Sequence, residues 1–169
     1  MSVRPATVAD ADAIARVQVE TWRVAYRGLI PDETIAAFDV ESRRRQWREG
    51  LGREPRPGSA TFVAELDGEV VGFASVGRSR DAEVADEGEL YAIYLNPSYW
   101  GRGIGRALLE RAEESMREFG FQRAMLWVLE GNERGERFYR HAGWEHDGSK
   151  IDAFQGVEVT ELRYRKLLY

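Results

Sequence analysis

The chain has 169 residues, 43% of them hydrophobic and 31% charged, with a formal net charge of −5. That is one globular domain, 1–169, long enough to bury about 70% of the surface its unfolded chain exposes; the acidic balance argues against a nucleic-acid partner. The absence of cysteine excludes disulfides, thiolate metal sites and a cysteine nucleophile, and no apolar run approaches the ~18 residues of a membrane span.

No basic-then-apolar leader opens the chain, so a soluble cytoplasmic protein without membrane contact is the expectation. Ser2 to Ala6 reads as a short edge strand. Thr7-Val8-Ala9-Asp10 resembles a capping box, after which Ala11, Ile14, Ala15, Gln18, Thr21, Trp22 and Ala25 fall on one helical stripe. Gly28 and Pro31 stop that helix, and a second is expected from Glu33 to Trp47. Between Glu41 and Arg56 six arginines face three glutamates, the composition of a solvated helix face and loop. Gly50 to Ser59 is a loop by its glycine and proline content.

Thr61–Leu66 and Glu69–Val76 are two β-rich runs across Asp67-Gly68, a hairpin signal. Gly77 to Glu87 is polar and reads as a loop. An apolar strand, Leu90 to Leu95, then meets Pro97, which cannot continue a central ladder. Gly101, Gly103 and Gly105 alternate with Arg102 and Ile104, and a helix runs on to Phe119 with apolar residues at a period near 3.6. Arg123 to Leu129 is a buried strand. Gly131-Asn132 gives a turn and an N-cap for a helix from Glu133 to His141, stopped at Gly143. Trp144–Ile151 and Val157–Leu168 are two closing strands. The order β-αα-β-β-β-α-β-α-β-β predicts an α+β (mixed α/β) fold around one sheet.

The stretch Asn96 to Leu109 organises the rest. Strand, glycine turn and helix start form an anion site: backbone without side chains approaches closely, and the first helical N–H groups are unsatisfied. A dinucleotide site would need G-x-G-x-x-G, but the sixth position is Arg106 counting from Gly101 and Leu108 counting from Gly103. There is also no G-x-x-x-x-G-K-[ST] loop for ATP.

In these residues the chain resembles the GNAT (GCN5-related) N-acetyltransferases. Their signature [QR]-x-x-G-x-[GA] is matched by Trp100-Gly101-Arg102-Gly103-Ile104-Gly105, with Pro97 upstream. Asn132, Phe138-Tyr139 and Gly143-Trp144 are similar to the family's N…FY…GF segment. Trp100 departs from the usual Gln or Arg, and Trp144 from the usual Phe. The resemblance implies a mostly antiparallel sheet of about six to seven strands flanked by about four helices. It implies acetyl transfer from acetyl-CoA to a primary amine of a small molecule or peptide. Backbone N–H groups of Arg102, Gly103, Ile104, Gly105 and Arg106 would hold the pyrophosphate. Ile93, Tyr94 and Leu95 would pair with the pantetheine arm, and Asn132 would touch the same arm. Because the protein is net acidic, attraction of this polyanion must be local, from the helix dipole with Arg102 and Arg106.

An alkyl amine near pKa 10.4 pays roughly 4 kcal/mol to expose its nucleophilic form at neutral pH. Glu89, at the start of the strand and on the face of Tyr91, Ile93 and Leu95, is the candidate base, directly or through water; the resemblance implies the same. Tyr139 is the candidate acid for the leaving thiolate. A backbone N–H near Leu95, at a bulged strand end, would serve the oxyanion. Trp22, Tyr26 and Leu29, between the first helices, are candidate acceptor-binding residues. His141 and His146 make no zinc set, and no metal is expected. A non-catalytic acyl-CoA sensor of the same fold is the alternative, and a homodimer through the closing strands stays open.

Overall fold

The computed structural model describes residues 1–169. Seven strands form a single sheet in the order β1-β2-β3-β4-β5-β7-β6. They are β1 (Ser2–Pro5), β2 (Ala60–Leu66), β3 (Glu69–Arg78), β4 (Gly88–Leu95), β5 (Arg123–Leu129), β6 (Glu145–Phe154) and β7 (Val157–Leu167). Five helices accompany them: α1 (Ala11–Ala25), α2 (Asp32–Ala37), α3 (Val40–Leu51), α4 (Ile104–Glu118) and α5 (Glu133–His141). The fold is therefore α+β, with every neighbouring pair antiparallel except β4 and β5.

That parallel pair decides the architecture. It spans only Gly88 opposite Ala124 and Glu89 opposite Met125, after which the strands part. The sheet is thus divided by a wedge-shaped opening whose walls are the rest of β4 and β5. Its two faces are covered differently. Leu108, Leu109, Ala112 and Met116 of α4 are buried with Ala74, Val76, Leu90 and Leu126 on one side, while Ile14 and Val17 of α1 pack on Val63 and Phe73 on the other.

The hairpin forms as its sequence predicts, with Asp67 at φ 51° and Gly68 at φ 82°, the left-handed pair of a type I′ turn. Three expectations change. The helix expected from Glu33 to Trp47 is two helices, because Asp39 is extended and its carboxylate accepts the Ser42 N–H at 2.8 Å, starting α3 afresh. The break frees Phe38 to stack on Trp22 with ring centroids 3.5 Å apart. Within the polar segment 77–87, β3 runs on to Arg78 and a short turn covers Ala82–Val84. The bulge in β4 falls at Tyr91 and not near Leu95: the pairing steps from Ser75–Ala92 to Val76–Leu90 and leaves Tyr91 over, which puts Glu89 on the face of Ala92 and Tyr94 and not on that of Ile93 and Leu95.

Trp144, the second departure from the family pattern, is 1% exposed, and its indole N–H donates to Glu113 at 3.0 Å. Glu113 is itself buried on α4 and held by Lys166 at 3.0 Å. A tryptophan is tolerated here because a charged acceptor meets its one polar atom.

Candidate active site

Two cavities open on the wedge between β4 and β5. The first, about 840 Å³, runs from the start of α4 to α5 and is lined by Ile93, Tyr94, Leu95, Gly103, Gly105, Arg106, Asn132 and Tyr139, among others. The second, about 920 Å³, is lined from the β3–β4 loop and from β5, β6 and β7. Tyr26, Leu90, Tyr91, Tyr94 and Trp127 belong to both walls. The two chambers therefore share a wall where the strands part.

At the mouth of the first cavity Gly101 and Gly103 stand at φ 78° and 82°, a conformation that side chains resist. They turn the chain so that α4 begins abruptly. The bond from Ala107 N–H to the Gly103 carbonyl closes the first turn. The N–H groups of Ile104, Gly105 and Arg106 are thus without partners inside the helix and face the cavity end, where the dipole favours an anion. Arg106, Arg134 and Arg137 line the same end. Ile104 contributes backbone only, since its side chain is buried in the core, and Arg102 lies outside the lining with its guanidinium over the Tyr99 ring. Asn132 caps α5 by accepting the Gly135 N–H at 3.0 Å, which leaves its amide NH2 free toward the cavity.

Trp100 is explained by the wedge. Leu95 stands opposite Gly72, while the adjacent Asn96 N–H bonds to Val71, so the register turns the Leu95 polar groups away from β3 and toward the open side. With β5 gone, two side chains satisfy the carbonyl: Trp100 Nε1 at 2.8 Å and Thr21 Oγ1 at 3.2 Å. The indole also carries the Arg134 guanidinium 4.0 Å above its ring. The Leu95 N–H keeps the same outward direction.

Such a cradle with this topology matches known proteins. The model of the acetyltransferase (GNAT) family covers residues 19–144. The chain belongs to the GNAT acetyltransferase family. It is 35% identical over 133 residues to an uncharacterised N-acetyltransferase of Bacillus subtilis, covering 78% of this chain and 73% of that one. It is similar in structure to a ribosomal-protein-alanine N-acetyltransferase from Brucella melitensis, with TM-score 0.75, 30% identity and 99% of both chains covered. The PaiA N-acetyltransferase of Thermoplasma acidophilum in complex with coenzyme A shares the fold, at TM-score 0.75, 24% identity and 98% of both chains. The chain is thus an N-acetyltransferase by family, and the coenzyme A of the Thermoplasma complex can be set against its first cavity. The first cavity fits that molecule: partnerless helix amides and arginines at one end, an unpaired strand edge along its length.

The remaining chemistry sits where the chambers meet. Tyr139 is half-buried on the first cavity; its phenol has no hydrogen-bond partner in the protein, and burial, then Tyr94, pushes its pKa above the ordinary tyrosine value. It is a phenol kept protonated. Glu89 lines the second cavity, 2% exposed, and is engaged by one residue three times. Arg80 donates its backbone N–H to Oε1 at 2.9 Å, its Nε to the same oxygen at 3.5 Å and an Nη to Oε2 at 2.7 Å. Glu89 is no edge carboxylate.

Of the acceptor candidates, Tyr26 lines both chambers and its hydroxyl lies 3.2 Å from that of Tyr94. Leu29 lines the first cavity. Trp22 lines neither: it is 6% exposed, sandwiched by Phe38 and Phe154 behind Tyr26. Sequence reading missed Arg80, Trp127, Lys150, Phe154 and Glu161, all on the second chamber. Four of these sit on β5, β6 and β7, and only the strand order brings them opposite β4. No group of His, Cys, Asp or Glu side chains is arranged to hold a metal ion.

Proposed function

We propose that the protein acetylates a primary amine of a small molecule or peptide by direct attack within a ternary complex. The observation that carries this reading is the meeting of the two chambers at the β4–β5 wedge. One chamber suits an extended phosphorylated arm, the other is broad and polar, and they share walls. Acetyl-CoA lies in the first with its pyrophosphate on the start of α4. Its pantetheine runs along Ile93, Tyr94 and Leu95, and Asn132 holds the same arm. The acceptor enters the second, past Tyr26, with Leu29 at the rim of the first.

The neutral amine nitrogen attacks the thioester carbonyl carbon, and the Leu95 N–H receives the oxyanion. As the C–S bond breaks, the Tyr139 phenol gives its proton to the leaving thiolate. The nitrogen sheds its surplus proton through water toward Glu89, whose own oxygens are engaged by Arg80. Tyr139 recovers a proton from that side, which resets the site.

A panel of amines, with free thiol as the readout, tests the reaction. Tyr139→Phe should lower kcat by about 10²-fold or more and leave acetyl-CoA affinity within about twofold. Equal loss of both removes Tyr139 from the acid role. Acetyl-CoA binding with no thiol release across a broad panel assigns the chain instead to the non-catalytic sensor reading.

A further inference from the structure

The second chamber is rich in charge, and nearly all of it is matched. Arg80 is paired with Glu89, Arg163 with Asp81 and Glu83, and Lys150 with Asp152. Each cation also lies over an aromatic ring, Arg80 over Tyr91 and both Lys150 and Arg163 over Trp127. One charged side chain on the wall is left out. Glu161, on β7 opposite Leu129 of β5 and Lys150 of β6, makes neither an ion pair nor a hydrogen bond. It is half-buried, and alternation along β7 puts it on the same face as Arg163, toward the chamber.

A desolvated carboxylate without a partner is costly and calls for a cation. Every protein cation on that wall is already committed to another carboxylate. We propose that Glu161 receives the acceptor as its ammonium and takes the proton that must leave before attack. This rests on the acetyl-transfer reading and deepens it: the acceptor is an aliphatic amine, bound in its charged form. The step balances. The ammonium N–H bond breaks, its proton passes to a Glu161 oxygen, and the freed lone pair forms the bond to the acetyl carbon. The second nitrogen proton leaves by the route given above, and Glu161 returns its own to solvent after the product departs.

The surroundings suit a proton acceptor. Burial pushes the Glu161 carboxyl above the ordinary glutamate value; Lys150 from β6 and Arg80 oppose this, and Asp152 from β6 and Glu89 from β4 add to it. Tyr26 at the end of α1 and Tyr94 on β4 feel its charge in turn, and both phenols are raised mainly by their own burial. Glu89 differs in kind: it holds Arg80 in place, whereas Glu161 holds nothing.

The test uses the whole protein saturated with coenzyme A and labelled with carbon-13 at glutamate carboxyls. The Glu161 resonance is assigned by its loss in Glu161→Gln. Titration with n-butylammonium at neutral pH should move it saturably, and n-butanol should leave it in place. A resonance that ignores the ammonium, or follows butanol equally, overturns the proposal. The kinetic arm takes any amine that the wild type acetylates. Glu161→Gln should lower kcat/KM on the order of 10²-fold at pH 7, and the deficit should shrink as pH approaches the amine's own pKa. A deficit constant with pH refutes the proton role. Glu161→Asp should restore part of the rate, and the acetyl-CoA thermal shift should be unchanged in both variants. If acetyl-CoA binds but no amine is turned over, the reaction reading fails and the carbon resonance alone decides the role of Glu161.

Discussion

The Leu95 carbonyl offers a quantitative check on how the wedge is held open. It accepts from Trp100 Nε1 at 2.8 Å and from Thr21 Oγ1 at 3.2 Å, and the parted strand gives it nothing else. Thr21→Val keeps the shape and removes one donor, a loss of about 0.5–1.5 kcal/mol while the indole still serves the carbonyl. Trp100→Phe removes the other donor, about the same amount, and also part of the half-buried ring and the full strength of the contact with Arg134. Together those make about 1.5–3 kcal/mol. The double variant orphans a carbonyl beside a residue only 8% exposed. Leaving such a group unmet costs about 1–3 kcal/mol by itself, so the double variant should lose about 1 kcal/mol more than the sum of the singles. Urea unfolding of the four proteins measures this directly. Thermal melts should follow at about 2–4 °C per kcal/mol for a chain of this size. Additivity within about 0.3 kcal/mol would falsify the shared-acceptor account.

Three further outcomes follow from charges and backbone. Asp10 is held low by Arg4, which donates to both its oxygens at 2.9 Å, and it also accepts the Thr7 N–H at 2.8 Å. Asp10→Asn should cost about 1–3 kcal/mol near neutral pH. Because the folded carboxyl is depressed, that stability exists above its unfolded pKa and fades as pH falls through the folded value, so the two melting curves should converge in strong acid. Glu161 has the opposite sign: raised in the fold, its charge works against stability above its folded pKa. Glu161→Gln should therefore melt higher than the wild type at pH 7, with the gap closing as pH falls; a variant less stable at pH 7 contradicts the unpaired carboxylate. Gly103→Ala puts a side chain at φ 82° in otherwise open space. It should cost about 1–2 kcal/mol and weaken acetyl-CoA binding, read by isothermal titration, while leaving the Glu161 resonance in place.

The parts of the site that were legible in the sequence are those built from neighbours in the chain. Gly101 and Gly103 announce a helix start because positive φ is a local demand, and Asn132 announces its cap for the same reason. Asp39 was equally local, yet the helix expected from Glu33 to Trp47 ran through it; its side-chain cap starts α3 afresh. Glu89 was found, but its ties to Arg80 were not, since a loop had to fold back before the pair could form. Glu161 gave no signal at all. Its meaning comes from β7 lying between β5 and β6, a strand order that no spacing within the chain encodes. Trp100 could be seen as a departure, while its purpose required knowing that β5 leaves β4 beside Leu95.

The wedge also makes the molecule something like a clothes-peg. Its closed end is clamped by charge: Arg163 of β7 grips Asp81, Arg165 grips Glu87, and both arginines hold Asp147. At its open end the tip of one jaw is held by hydrogen bonds from Trp100 and Thr21 to Leu95 and from Asn96 to Glu20. The clamp belongs to the acceptor chamber's own wall, which Asp81, Glu83 and Arg163 line, and its exposed member Glu83 is sensitive to salt. Salt therefore loosens the outermost tie of that clamp, Glu83 to Arg163, while the more buried ties of Arg163 to Asp81 and Asp147 persist.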